Sequence, residues 1–250
     1  MAQESQVAAA PENADLQKRA WRKLPKRLFI TLVALDTFFV GVYLYFVAFG
    51  RHKSLLFQVF NLDREANVPS WYAGTQLFLI AIGYLVLGSR LIPDRRKVAV
   101  LRPLWILMGV GFTLLSADEV GALHERMGHA LKHMKVFSFR YLDQWMVLYL
   151  LIAVCIALIF SKQLLRVWKE WRFEVLLFLL GFAVLASGAF VAEIAQISRR
   201  WVGTRHLLQI GVEEWLELVG ATILTLPAYR ILSYAMTSDP DSDQIVTPAA

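Results

Sequence analysis

A single cysteine, Cys155, stands among 250 residues. It lies inside an apolar run, so no intrachain disulfide staples this chain and no paired-thiol metal or redox motif exists. Charge is scarce as well. Only 18% of residues are Asp, Glu, Lys or Arg, while 57% are hydrophobic, a balance too apolar for an ordinary soluble domain of this length. The chain has no Gly-rich phosphate loop, no internal repeat and no Glu-x-x-His motif of the kind that builds di-iron helix bundles. A disulfide scaffold, a P-loop enzyme and a solenoid are thereby excluded. The formal charge of +6 is carried by residues that flank apolar runs without any stacking motif, so it does not point to nucleic acid.

What is present is a set of long apolar runs. Six come near the roughly 20 residues that a bilayer requires: about 28–50, 71–91, 104–123, 145–160, 175–197 and 216–236. They predict an all-α polytopic membrane bundle of about six transmembrane helices over 28–236. A basic, disordered cytoplasmic tail over 1–27 is expected before it, and an acidic, turn-rich tail over 237–250 after it. The basic residues set the orientation. Lys18, Arg19, Arg22, Lys23, Lys26 and Arg27 precede the first run, Arg90, Arg95, Arg96, Lys97 and Arg102 separate the second from the third, and Lys162, Arg166, Lys169 and Arg172 separate the fourth from the fifth. Both termini are therefore expected inside, in a multi-pass plasma-membrane protein such as one of the bacterial inner membrane. Its immediate partner is the lipid bilayer.

Ionisable groups at membrane depth are costly and are usually retained for a function. The third run ends in Ser116-Ala-Asp118-Glu119-Val-Gly-Ala-Leu-His124-Glu125-Arg-Met-Gly-His129-Ala-Leu-Lys-His133. If the helix continues through this stretch, Asp118, Ala122, Glu125 and His129 share one stripe, and His129 and His133 stand at i and i+4, a spacing that can share a metal. The sixth run enters through Glu213, Glu214 and Glu217, with His206 further up the same stripe of a helix that starts near Thr204. The fifth ends with Glu193 and Gln196, after the small-residue segment Ala186-Ser-Gly-Ala189, which permits close approach of another helix. The second begins with Trp71, Tyr72, Thr75 and Gln76. The expected site is thus an outer-leaflet cluster, with Asp118, Glu119, Glu125 and Glu193 as catalytic candidates and Glu125, His129, His133, Glu213 and Glu217 as metal ligands. Asp36 stands apart, inside the first run, where a hydrogen bond to a neighbouring helix is the default and a proton relay the alternative.

Mixed carboxylate and imidazole donors suit a divalent Zn, Fe or Mn ion. The first reading is accordingly a metal-dependent membrane enzyme acting on a lipid or other hydrophobic substrate. A proton- or cation-coupled transporter and a noncatalytic scaffold or assembly factor are the alternatives. Two connections, the Leu55–Phe60 piece and residues 134–144, are candidate interfacial lids, with plain loop anchoring as the simpler role.

Overall fold

A computed structural model describes the backbone of residues 2–51, 54–62, 64, 67–93, 95–134, 144–198 and 204–238. It describes side chains over the same residues except 2–14, 125, 129, 131–134, 144–146, 189–198 and 204–205. Among the described residues every regular element is a helix: α1 (Ala2–Ala48), α2 (Leu55–Val59), α3 (Val68–Gly88), α4 (Arg96–Ala99), α5 (Arg102–Gly121), α6 (Leu123–Met134), α7 (Gln144–Ile159), α8 (Ser161–Glu170), α9 (Arg172–Ser198) and α10 (Thr204–Thr237). Four of them, α1, α3, α5 and α10, are long and apolar enough to cross a membrane, and a fifth candidate is the pair α7 and α8, bent by 77°. The chain is a helical protein with the composition of a membrane protein.

Local chemistry explains where these helices start and stop. Asn67 caps α3 by accepting the Ser70 N–H at 3.1 Å, and its amide nitrogen ties the preceding loop through the carbonyls of Asn61 and Arg64. Pro69 and Pro103 sit in first turns, where the missing N–H costs nothing. Pro227 lies inside α10 and cannot donate to the carbonyl one turn earlier. α1 extends back through Lys18–Arg27, so the basic stretch expected in a tail is helical. Trp21, Leu24 and Leu28 there pack against the main core. At the other terminus, the buried Arg95 donates from Nε to the Ala235 carbonyl at 3.3 Å and from Nη2 to the Ser238 carbonyl. A cation thus satisfies the last carbonyls of α10, where the helix dipole favours it.

Glycines set how closely the long helices approach. α3 and α5 run antiparallel: a Cβ on Gly74 would meet Val120 at 2.5 Å, and one on Gly88 would meet Ile106 at 2.5 Å. α9 and α10 do the same, with Gly181 against Leu224, Gly188 against Glu217 and Gly220 against the Leu185 backbone at 2.5 Å. The small segment that ends with Gly188 and Ala189 therefore serves the close approach its composition implies. α10 also packs on α1 and α3. The Trp21–Leu28 part of α1 and the last turns of α10 lie at one end of this bundle, called here the terminal end. α5, α6 and the start of α10 meet at the far end. Tyr84 stacks between Trp105 (5.8 Å) and Phe112 (6.0 Å) in the core of the terminal half. In the far half, Tyr43 stacks on Phe57 at 5.7 Å.

That last contact places α2. Ser54 caps it by accepting from the Phe57 N–H, and Phe57 is buried against Tyr43 and Phe46 of α1. The piece is loop anchoring on α1 rather than a lid over the acidic residues. The second lid candidate, 134–144, lies almost wholly outside the described residues.

Candidate functional site

The third apolar run does not continue as one helix. α5 stops at Ala122, whose φ of 52° and ψ of 39° are left-handed, and α6 restarts at Leu123. The stripe expected through Asp118, Ala122, Glu125 and His129 is therefore not formed, because a residue in that conformation redirects the helix axis. Asp118 holds the corner together. Its backbone carbonyl accepts the Ala122 N–H. Its Oδ1 accepts the His124 backbone N–H at 2.6 Å and lies 3.2 Å from His124 Nδ1, while Oδ2 accepts the Tyr149 hydroxyl at 2.8 Å. One carboxylate thus caps α6, orients an imidazole and pins α7. Asp118 is buried and both of its oxygens are engaged.

Glu119, the next residue, turns toward α10. Glu119 and Glu213 both act electrostatically on Glu217, and all three are half-buried. α9 presses on the same spot, since a Cβ on Gly188 would meet Glu217 Cγ at 2.7 Å and the Glu213 carbonyl oxygen at 2.8 Å. Of the candidate site carboxylates, Glu119, Glu213 and Glu217 come together. The side chains of Glu125, His129, His133 and Glu193 lie outside the described residues. Among the described residues no group of three His, Cys, Asp or Glu side chains is arranged to hold a metal ion.

A second polar centre surrounds Asp36, where the hydrogen bond expected to a neighbouring helix is formed. Asp36 of α1 is completely buried. Its Oδ1 accepts the Tyr72 hydroxyl and the Gln76 amide, each at 2.7 Å, and its Oδ2 accepts the Thr222 hydroxyl at 2.8 Å. Gln76 Nε2 also lies 2.8 Å from Thr222 Oγ1. The Asp36 knot therefore ties α1, α3 and α10 at one level. Gln76 Oε1 is the one atom in it that is buried without a hydrogen-bond partner. Tyr72 and Gln76 at i and i+4 were a legible signal in an apolar run. Thr222 was not, because a threonine in a transmembrane segment attracts no notice.

The two centres occupy different faces of α10. Glu213, Glu217, Gly220 and Leu224 face α9, whereas Gly211 meets Tyr43 and Leu44 of α1, and Thr222 meets α1 and α3. The acidic corner and the Asp36 knot are thus separate.

A family model matches residues 25–231. The chain belongs to the family described as Domain of unknown function (DUF8692). No curated protein and no solved structure matches it. The DUF8692 match takes in both polar centres, with Asp36 and Thr222 in one and Asp118, Glu119, Glu213 and Glu217 in the other, and leaves out only the two ends of the chain.

Proposed function

We propose that the protein is a six-span plasma-membrane protein of the bacterial inner-membrane type, with both termini cytoplasmic. In this reading the acidic corner lies in the outer leaflet and forms a divalent-metal centre that acts on a lipid or other hydrophobic substrate. The observation that carries it is the convergence of Glu119, Glu213 and Glu217 from two helices against Gly188 of a third. Like charges brought together in a poorly solvated place need a cation or protons. α6 starts at this corner and carries Glu125, His129 and His133, so carboxylate and imidazole donors that fit Zn, Fe or Mn are close in the chain. Glu213, Glu217, Glu125, His129 and His133 would hold the ion, with Glu193, from the end of α9, as a catalytic carboxylate beside it. A bound metal would polarise a substrate oxygen or activate water. Asp118, with His124 and Tyr149 on its oxygens, would position α6 and α7 around that centre. A left-handed alanine between Glu119 and His124 supports a functional corner, because non-glycine residues in that region cluster at such sites. The span count takes α9 as the crossing between the elbow after α7 and the start of α10, its 27 residues reaching about 40 Å.

A second reading, a noncatalytic scaffold, draws on a specific feature. Every carboxylate oxygen of Asp36 and Asp118 already takes a donor from a neighbouring element, as in a network that fixes helix packing. A third, proton- or cation-coupled transport, would neutralise the corner with protons or with an ion in transit.

Elemental analysis of the purified protein, with Glu217→Gln and His129→Ala beside the parent, separates the three. Stoichiometric metal that falls sharply in both variants supports the metal centre. Metal-free protein that ignores chelator but shows pH-dependent flux in proteoliposomes supports transport, and the absence of both leaves the scaffold. Reporter fusions after Ala66 and His133 should report outside, and those after Asp94 and Trp168 inside. An outside signal at Asp94 rejects the orientation.

A further inference from the structure

At the terminal end, away from the acidic corner, the 77° bend between α7 and α8 holds open a cavity of about 540 Å³. Tyr84, Trp105, Met108, Leu164, Phe178 and Ile231 are among its lining residues. α8 is the amphipathic element beside it. Leu164, Val167 and Trp168 lie on its cavity side, while Lys162, Arg166 and Lys169 follow one another at i, i+4 and i+7 as a separate stripe, all exposed. The other charges nearby are spent. Glu170 pairs with Lys97 at 3.4 Å, Glu174 pairs with Arg230 at 3.1 Å, and Arg172 lies over the Trp168 ring at 5.6 Å. Lys162, Arg166 and Lys169 enter no ion pair among the described residues.

We propose that this cleft is the seat of one anionic glycerophospholipid, its acyl chain in the cavity and its headgroup phosphate on the Lys162, Arg166 and Lys169 stripe. Charge complementarity selects this occupant. Three exposed cations beside an apolar cleft match a ligand with an anionic head and an apolar tail, and basic pockets between transmembrane helices at the cytoplasmic side are where such headgroups bind. Size argues against a partner helix. An α-helix with its side chains is about 10 to 12 Å across and 5.4 Å per turn, so roughly one turn would fill the space, too little to hold a protein segment. Because lipid tails are already in an apolar medium, tail burial supplies little preference. The selectivity must come from the headgroup, at about fivefold per cation near the surface. The seat needs only membrane embedding and is independent of the metal reading, although the orientation given above places it in the inner leaflet.

The test reconstitutes the full-length protein in phosphatidylcholine vesicles containing rising fractions of phosphatidylglycerol with brominated tails, and follows quenching of tryptophan fluorescence by those tails. Trp105 and Trp168 line the cavity. Quenching by brominated phosphatidylglycerol should reach its midpoint at a fraction tenfold or more below that for brominated phosphatidylcholine. The triple variant Lys162→Gln, Arg166→Gln, Lys169→Gln alters only exposed positions and should remove most of that difference, as should 0.5 M salt. Met108→Phe, with Ala157→Phe as a second filler, should raise the phosphatidylglycerol midpoint in any variant whose thermal unfolding stays near that of the parent. Equal midpoints for the two lipids in the parent overturn the proposal. A preference untouched by the triple variant, or by fillers that fold, overturns it as well, since the first removes the headgroup site and the second leaves surface attraction without a seat.

Discussion

The Asp36 knot and the acidic corner both place carboxylates in apolar surroundings, yet they solve the problem in opposite ways. At Asp36 one carboxylate meets three side-chain donors from two other helices, and nothing is left over for a ligand to satisfy except Gln76 Oε1. At the corner three glutamates face one another beside a helix break. Hydrogen bonding within the protein closes the first centre. The second gathers groups of one charge sign at one place, where their mutual repulsion must be offset. Stability should therefore depend mainly on the knot and the glycine seams, and ligand chemistry on the corner.

Substitutions can break or sharpen that contrast. The largest effect is expected at Asp36→Leu, which strands the donors of Tyr72, Gln76 and Thr222. Interhelical hydrogen bonds in membranes average about 0.6 kcal/mol and stranded buried donors cost more, so a loss of about 2 to 4 kcal/mol should appear in unfolding from detergent. An unchanged midpoint would mean that the knot is not a packing device. Next come the seams. Gly220→Val drives a side chain into the Leu185 backbone and should cost about 1 to 3 kcal/mol, whereas Gly41→Ala, whose Cβ would meet nothing within 4 Å, should be near neutral. Parity between those two variants in the same assay would contradict the close approach of α9 and α10.

Smaller effects of opposite sign belong to the corner. Ala122→Gly removes the left-handed penalty at the α5–α6 break and should stabilise by about 1 kcal/mol or less. A destabilised variant would show that the break is not left-handed in solution. At a pH high enough to ionise Glu217, Glu217→Gln in metal-free protein relieves repulsion from Glu119 and from Glu213, one turn away, for a gain of about 0.5 kcal/mol. In protein carrying the proposed metal the same change should destabilise, because it deletes a ligand. Measuring both forms by thermal unfolding turns the sign into the readout.

Much of the fold was legible because a bilayer imposes a one-dimensional rule, that an apolar run near 20 residues becomes a helix. The runs at 71–91, 104–123, 145–160 and 175–197 recur within a few residues as α3, α5, α7 and α9, and Pro69, Asn67 and Pro103 announce starts by local chemistry alone. The far-end acidic cluster was legible for the same reason, since carboxylates inside such runs are conspicuous. Its internal arrangement was not. A uniform helical period places Asp118, Glu125 and His129 on one stripe, but the left-handed residue is Ala122 rather than its neighbour Gly121, where glycine's freedom would place it, and Asp118 instead caps the helix that follows.

Which carboxylate meets which partner depends on the third dimension. The sequence by itself determined that this chain forms apolar helices, that the small segment around Gly188 permits close contact, and that ionisable groups gather toward one end, because composition and periodicity act along a single helix. Only the tertiary structure decided that Asp36 would bind Thr222, 186 residues away, that Glu119 rather than Asp118 would face Glu217, and that the two centres would lie on different faces of α10. Those outcomes depend on the rotation and depth of each helix against its neighbours. Close packing at particular glycines sets both, and no run of residues encodes them locally.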